Sequence, residues 1–119
     1  MKPSHLLEGR LGERIACRFL MGKGFDIVAR RFQCRSGEVD IIAFDAELLV
    51  FVEVKTRASR TYGDPTEFVD WEKQQRFRRT AEEFVGRYDL GQYACRFDIV
   101  SVVGPGRPGQ EIFHFPNAF

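Results

Sequence analysis

Val39-Asp40-Ile41-Ile42-Ala43-Phe44-Asp45-Ala46-Glu47-Leu48-Leu49-Val50-Phe51-Val52-Glu53-Val54-Lys55 is the stretch whose pattern decides the fold. Two almost wholly apolar runs, 39–44 and 48–54, flank the turn-forming Asp45-Ala46-Glu47. Runs of this kind joined by a tight connection make an antiparallel hairpin, and their continuous hydrophobicity means burial on both faces. Only Asp40, Glu53 and Lys55 put charge into these runs. Strand side chains alternate, so Glu53 and Lys55 share a face while Val52 and Val54 take the other. If the hairpin folds about Ala46-Glu47, Asp40 falls opposite Glu53, with Cβ atoms roughly 4.5–5.5 Å apart. A slip of one residue in register would separate them, and an Ala-Glu turn does not set the register by itself.

A carboxylate in such a place needs a partner, because burying it alone costs several kcal/mol. Two carboxylates this close repel unless positive charge stands between them. A hard divalent cation satisfies both, and Mg²⁺ (or Mn²⁺) takes one or two carboxylates while keeping several waters. Such an ion binds a phosphate oxygen, acidifies an attacking water and offsets charge in the transition state. Lys55 can orient or deprotonate that water or stabilise the pentacovalent phosphorus, and the sequence leaves these roles open. The competing reading is a structural triad in which Lys55 neutralises both carboxylates. It is the weaker one, since apolar replacements of buried ion pairs are often neutral or stabilising.

Outward from the hairpin, Leu7, Leu11, Ile15, Phe19 and Leu20 recur at helical spacing and predict a helix over about 6–23, with Gly22 and Gly24 as stop signals. Residues 25–32 predict a short strand before the Ser36-Gly37 turn. A loop is expected over 57–65, around Gly63 and Pro65. A helix over about 70–87 turns Phe77, Ala81, Phe84 and Val85 inward. Residues 97–103 predict a strand, the Gly/Pro-rich stretch 104–109 a loop, and 111–115 a last short strand. The order implies an α/β domain with a central mixed sheet of four to five strands flanked by helices.

The chain has 119 residues, the size of a single domain spanning 1–119, and its 44% hydrophobic content with 12 Phe supports a packed core. The formal net charge is +1, which argues against a protein that coats nucleic acid by bulk charge and leaves room for a local basic surface. Cys17, Cys34 and Cys95 are odd in number, far apart and without a C-x-x-C, so they read as reduced thiols in or near the core. No stretch approaches the ~18 apolar residues of a membrane span, and Met1 to Gly9 has no signal-like apolar segment. The expectation is a soluble, cytoplasmic protein with no membrane partner.

Gly9-Arg10-Leu11-Gly12-Glu13, Arg35-Ser36-Gly37-Glu38-Val39-Asp40-Ile41-Ile42-Ala43 and Val50-Phe51-Val52-Glu53-Val54-Lys55-Thr56-Arg57 resemble the bacterial YraN family, as do Arg96-Phe97-Asp98-Ile99-Val100 and the terminal Asn117-Ala118-Phe119. The resemblance covers essentially the whole chain. It implies a restriction-endonuclease-like fold of the PD-(D/E)XK superfamily, similar to archaeal Holliday-junction resolvases. In that pattern Asp40 is the motif Asp and Glu53-x-Lys55 the motif E-x-K, and Glu13 is the acidic residue that many relatives bring from the first helix to the metal site. Relatives usually carry Asn where this chain has Arg31.

The function expected is that of a Mg²⁺- or Mn²⁺-dependent nuclease, with DNA expected as its substrate ahead of RNA and branched or structured forms among the candidates. The catalytic set is Asp40, Glu53, Lys55 and Glu13, with Asp40, Glu53 and Glu13 as metal ligands. Arg57 and Arg60 lie just past the catalytic strand, and Lys73, Arg76 and Arg79 share a broad side of the second helix. Lys73 and Gln74 fall in its first turn, where free N–H groups favour phosphate. Arg57, Lys73, Gln74 and Arg76 are therefore the candidate nucleic-acid contacts, against the plain alternative of an ordinary charged surface. Glu38 is placed to share the face of Asp40. His5 and His114 read as surface residues and Trp71 as a packing residue. A homodimer would supply two sites for symmetrical cuts. The alternative function is a non-catalytic nucleic-acid-binding or recombination and repair accessory protein on the same fold.

Overall fold

Asp45 pairs with Leu48 and Ile41 with Val52, so the hairpin closes about Ala46-Glu47 in the register that sets Asp40 across from Glu53. Ala46 takes φ 53 at the first turn position, a left-handed conformation that a two-residue hairpin loop demands. The computed structural model describes residues 4–59 and 70–119, with side chains from residue 9 onward. The elements are α1 (Ser4–Gly22), β1 (Asp26–Cys34), β2 (Gly37–Asp45), β3 (Leu48–Arg57), α2 (Trp71–Arg87), β4 (Cys95–Val103) and β5 (Glu111–Phe115). They form a five-stranded sheet in the order β1-β2-β3-β4-β5. All neighbours are antiparallel except β3 and β4, which run parallel. This mixed sheet with two helices is the α/β arrangement of a restriction-endonuclease-like domain.

The double-sided greasiness of β2 and β3 has its reason in two separate cores. On one face Ile41, Ala43, Val50, Val52, Val100 and Val102 pack with Ala16, Cys17 and Leu20 of α1. On the other, Ile42, Leu49 and Phe51 pack with Phe77, Ala81 and Phe84 of α2. Phe51 and Phe84 meet edge to face with centroids 6.1 Å apart. Helix α1 ends where Gly24, at φ 94, lets the Phe25 N–H return to the Leu20 carbonyl at 3.0 Å. Helix α2 starts at Asp70, whose carboxylate accepts the Lys73 N–H at 2.8 Å. None of the described helices is long and apolar enough to cross a membrane.

Several sequence expectations shift. Arg57 belongs to the end of β3 rather than to a loop, and Arg60, Gly63 and Pro65 lie outside the described residues, as do the side chains of His5 and Leu7. Ala16 and Cys17 join Leu20 among the buried residues of α1. Cys95 is exposed instead of lying near the core. Trp71 is 71% exposed, so it is no packing residue: at the first position of α2 it lies on the side away from Phe77 and Phe84. His114 is buried rather than on the surface, with its imidazole on Asp98.

Gly12 sets how close α1 comes to the sheet, since a Cβ there would overlap the Thr56 hydroxyl and crowd its methyl. Rotating Thr56 brings another branch into the same space, so the helix would have to lift. Gly12→Ala gains up to ~1 kcal/mol of helix propensity but suffers ~1–3 kcal/mol of overpacking. The expected net result is a loss of stability in urea unfolding, partly reversed when Thr56→Ala is added.

Candidate active site

The β2–β3 ladder ends at Ile41–Val52, and the next pair in that register is Asp40 with Glu53. There the strands part, and the Asp40 carboxylate takes the place of a ladder carbonyl: it accepts the Val54 N–H at 2.8 Å. On the other side of β2 the ladder also breaks at this residue. Arg30 pairs with Ile41 and Phe32 with Val39, while Arg31, the residue facing Asp40, is in the left-handed region at φ 53. Ile41 belongs to the α1 core and Phe32 and Val39 to the α2 core, so the pleat changes phase across Arg31 and Asp40. A left-handed backbone costs a non-glycine residue about 1–2 kcal/mol and suits Asn better than Arg.

Asp40, Glu53, Glu38, Lys73, Arg76, Gly37 and Phe77 line one cleft of about 240 Å³ between the strand ends and the first turns of α2. Glu53 is almost fully buried, and its Oε1 receives the Lys73 Nζ at 2.7 Å and the Lys55 Nζ at 3.5 Å. Burial, then the Glu53 charge, push the Asp40 carboxyl up to about 8; the Val54 N–H works against this, and Glu13 and Glu38 add to it. Burial and the neighbouring Lys73 pull the Lys55 amine below the ordinary lysine range. Lys73 is also half-buried, but its hydrogen bonds to Glu53 and Lys55 and the Glu53 charge outweigh burial and hold its proton more firmly than usual. Of the two amines, Lys55 is therefore the one eased towards the neutral, accepting form.

Glu13 is not gathered with this pair. Its Oε2 accepts the Arg31 Nε at 2.6 Å. Among the described residues no three His, Cys, Asp or Glu side chains are drawn together as a ready metal group. Asp40 and Glu53 still present oxygen donors of the kind a hard cation takes, and their mutual repulsion is what an intervening cation would relieve. Of the expected nucleic-acid contacts, Arg76 stands exposed at the cleft and Lys73 is turned inward onto Glu53. Gln74 and Arg57 are half-buried, and Arg79 is exposed. Glu38 lines the same cleft as Asp40, as its position in the strand suggests.

The Lys73–Glu53 contact is the site feature that sequence reading misplaced. A signal was available, because Lys73 precedes Phe77 by one helical turn and so belongs to the inward stripe of Phe77, Thr80 and Phe84. Asp98, in the largely apolar strand β4, has no local sequence pattern that marks its partners. It is fully buried and accepts two bonds from Arg96 (2.8 and 2.9 Å), one from His114 Nε2 (2.8 Å, if that nitrogen carries the proton) and one from the Asn117 N–H (3.0 Å). This network ties β4, β5 and the chain end together, apart from the cleft.

The raised Asp40 pKa makes a stability prediction. A carboxyl whose folded pKa exceeds its unfolded value contributes stability that is complete below the unfolded value, near 4, and lost as pH rises through the folded one, about 8. Asp40→Asn keeps the acceptor for Val54 and removes this loss. Without metal it should melt several degrees above the parent protein at pH 8, with the difference shrinking at pH 5, as thermal scans across pH will show. Equal melting points at pH 8 would contradict the raised pKa.

The sequence profile described as "Uncharacterised protein family UPF0102" matches residues 12–102. The UPF0102 protein of Alkaliphilus metalliredigens (strain QYMF) is 42% identical over 111 residues, covering 93% of this chain and 96% of its own. The UPF0102 protein STH1475 of Symbiobacterium thermophilum is 47% identical over 102 residues, 86% of each chain. The UPF0102 protein of Moorella thermoacetica is 44% identical over 94 residues, 79% of this chain and 78% of its own. With matches of this extent spanning both halves of the cleft, the chain belongs to the protein family UPF0102.

Proposed function

We propose that this protein is a metal-dependent endonuclease that hydrolyses phosphodiester bonds, in DNA rather than RNA and in branched or structured substrates. The observation that supports this best is the cleft itself. Two carboxylates, Asp40 and Glu53, crowd together where the strands part, with a depressed lysine and a protonated lysine beside them. A group kept ready to accept a proton belongs near the operating pH, and burial is the usual means of bringing a lysine there.

Mg²⁺ or Mn²⁺, held by Asp40 and Glu53, would supply the Lewis acidity that activates water and offsets charge on the phosphate. Lys55 takes the proton of the attacking water. Lys73 fixes the Glu53 carboxylate from the α2 side, and Arg76 at the cleft attracts a backbone phosphate. Arg57, at the end of β3, and Gln74, in the first turn of α2, extend this contact beyond the cleft.

A panel of labelled duplex, flapped, four-way and single-stranded DNA and RNA, incubated with Mg²⁺ or Mn²⁺, tests the proposal. Metal-dependent cutting of a DNA structure is expected; inertness towards every member, with protein in excess, would refute it.

One observation favours a second reading, an accessory protein that binds nucleic acid without cutting it. Glu53 and Glu13 already have resident cations in Lys73 and Arg31. On that reading calorimetry finds no divalent-ion binding, and nucleic-acid binding falls steeply with salt and is lost in Arg57→Ala or Lys73→Ala.

A further inference from the structure

We propose that Arg31 is a positioning residue that holds Glu13 away from the Asp40–Glu53 pair, so that metal must compete with an internal cation for the third carboxylate. This rests on the metal-site reading above and goes beyond it by naming what sets the affinity of the site. Arg31 faces Asp40 across the broken step of the β1–β2 ladder, between the pairs Arg30–Ile41 and Phe32–Val39. Its φ of 53 departs from the extended backbone of β1, and this is a conformation that a long side chain gains nothing from locally. What the side chain does gain is the Glu13 carboxylate, at 2.6 Å from its Nε. Glu13, Glu38 and Asp40 all act electrostatically on Arg31, so its guanidinium stands against the same acidic group that would receive a metal ion.

The contact is open to exchange. The Arg31 side chain is 41% exposed and Glu13 18% exposed, so the pair is partly solvated and weak enough to yield to a divalent ion. Glu13 projects from α1 and Asp40 from β2, so release of Glu13 from Arg31 would bring an acidic group from the opposite helix towards the strand ends. Lys73 performs the matching task on the other side by holding Glu53. Arg31 differs from Lys73 in that it lies outside the cleft lining, so it can be replaced without removing a cleft residue.

The test is calorimetric titration of the intact protein with Mn²⁺, in the absence of nucleic acid. Arg31→Asn and Arg31→Gln should each bind Mn²⁺ about two- to fivefold more tightly than the parent, the upper part of the range for a partly exposed ion pair. Arg31→Lys, which keeps the charge, should stay near the parent value. In Arg31→Asn/Glu13→Gln the gain should vanish, which separates release of Glu13 from a simple loss of positive field. Unchanged or weaker binding in Arg31→Gln, or a gain that survives Glu13→Gln, overturns the proposal. Asp40→Asn is the control for the underlying site. If the parent binds Mn²⁺ and Asp40→Asn does not, the site stands and only the Arg31 role is judged. If neither the parent nor Arg31→Asn binds Mn²⁺, the site reading falls and takes this inference with it.

Discussion

Asp40→Ala should lower metal-dependent cleavage by at least about a thousandfold, and Lys55→Ala by roughly 10²–10⁴, the range for removing a positioned acid–base group. Asp40 is the residue at which β2 parts from β3, and its carboxylate accepts the Val54 N–H there, a placement that Glu38 does not share. Without it a cation loses one of its two facing carboxylates, and the remaining one, Glu53, is already engaged by Lys73 and Lys55. Lys55 differs from Lys73 in its proton affinity, so Lys73 does not replace it as the acceptor. Loss of activity from unfolding is distinguished by the melting point of each variant. Single-turnover assays at saturating Mg²⁺ decide the matter: activity within tenfold of the parent in either variant would remove that residue from the chemistry.

The second large effect concerns stability and lies away from the cleft. Asp98→Ala should destabilise the protein by about 3–5 kcal/mol, since it leaves Arg96 and His114 without their buried acceptor. Against a total of about 5–15 kcal/mol for a domain, that is a large share, and it corresponds to roughly 10–20 °C in melting temperature. Burial alone would raise the Asp98 pKa; the bonds from His114, Arg96 and the Asn117 N–H outweigh it and hold the carboxyl below the usual range. The sign follows from that direction. The contribution is present above the unfolded value near 4 and fades as pH falls through the lower folded one, so acid unfolding should be steep and should flatten in Asp98→Ala. Urea titrations at pH 7 and at pH 3 measure both. A loss below ~1 kcal/mol at pH 7 would mean that the network is dispensable.

Some of this is visible in the chain without coordinates. Two short, almost wholly apolar runs around Asp45-Ala46-Glu47 point to a doubly covered hairpin, because strands buried on both faces lose the usual apolar–polar alternation. The period-two alternation then placed Glu53 with Lys55, and hairpin closure placed Asp40 across from Glu53, all local consequences of pleat and turn. The helical recurrence of Ile15, Phe19 and Leu20 in α1 and the stripe Phe77–Ala81–Phe84 likewise follow from local periodicity.

What only the tertiary structure decided is which charges meet over long sequence separations. Lys73 and Glu53 are joined by the packing of α2 on β3, Arg31 and Glu13 by the approach of α1 to the sheet edge, and Asp98 and His114 by the β4–β5 register. A surface charge and a buried partner have the same identity in a sequence; burial, which separates them, is a property of the whole packed chain. The hairpin and the charged residues within it were thus determined by the sequence itself, whereas its register was fixed by the packing of its two faces on separate cores. The state of those residues was decided by the fold: Asp40 raised, Lys55 depressed, Glu53 paired and Glu13 held aside.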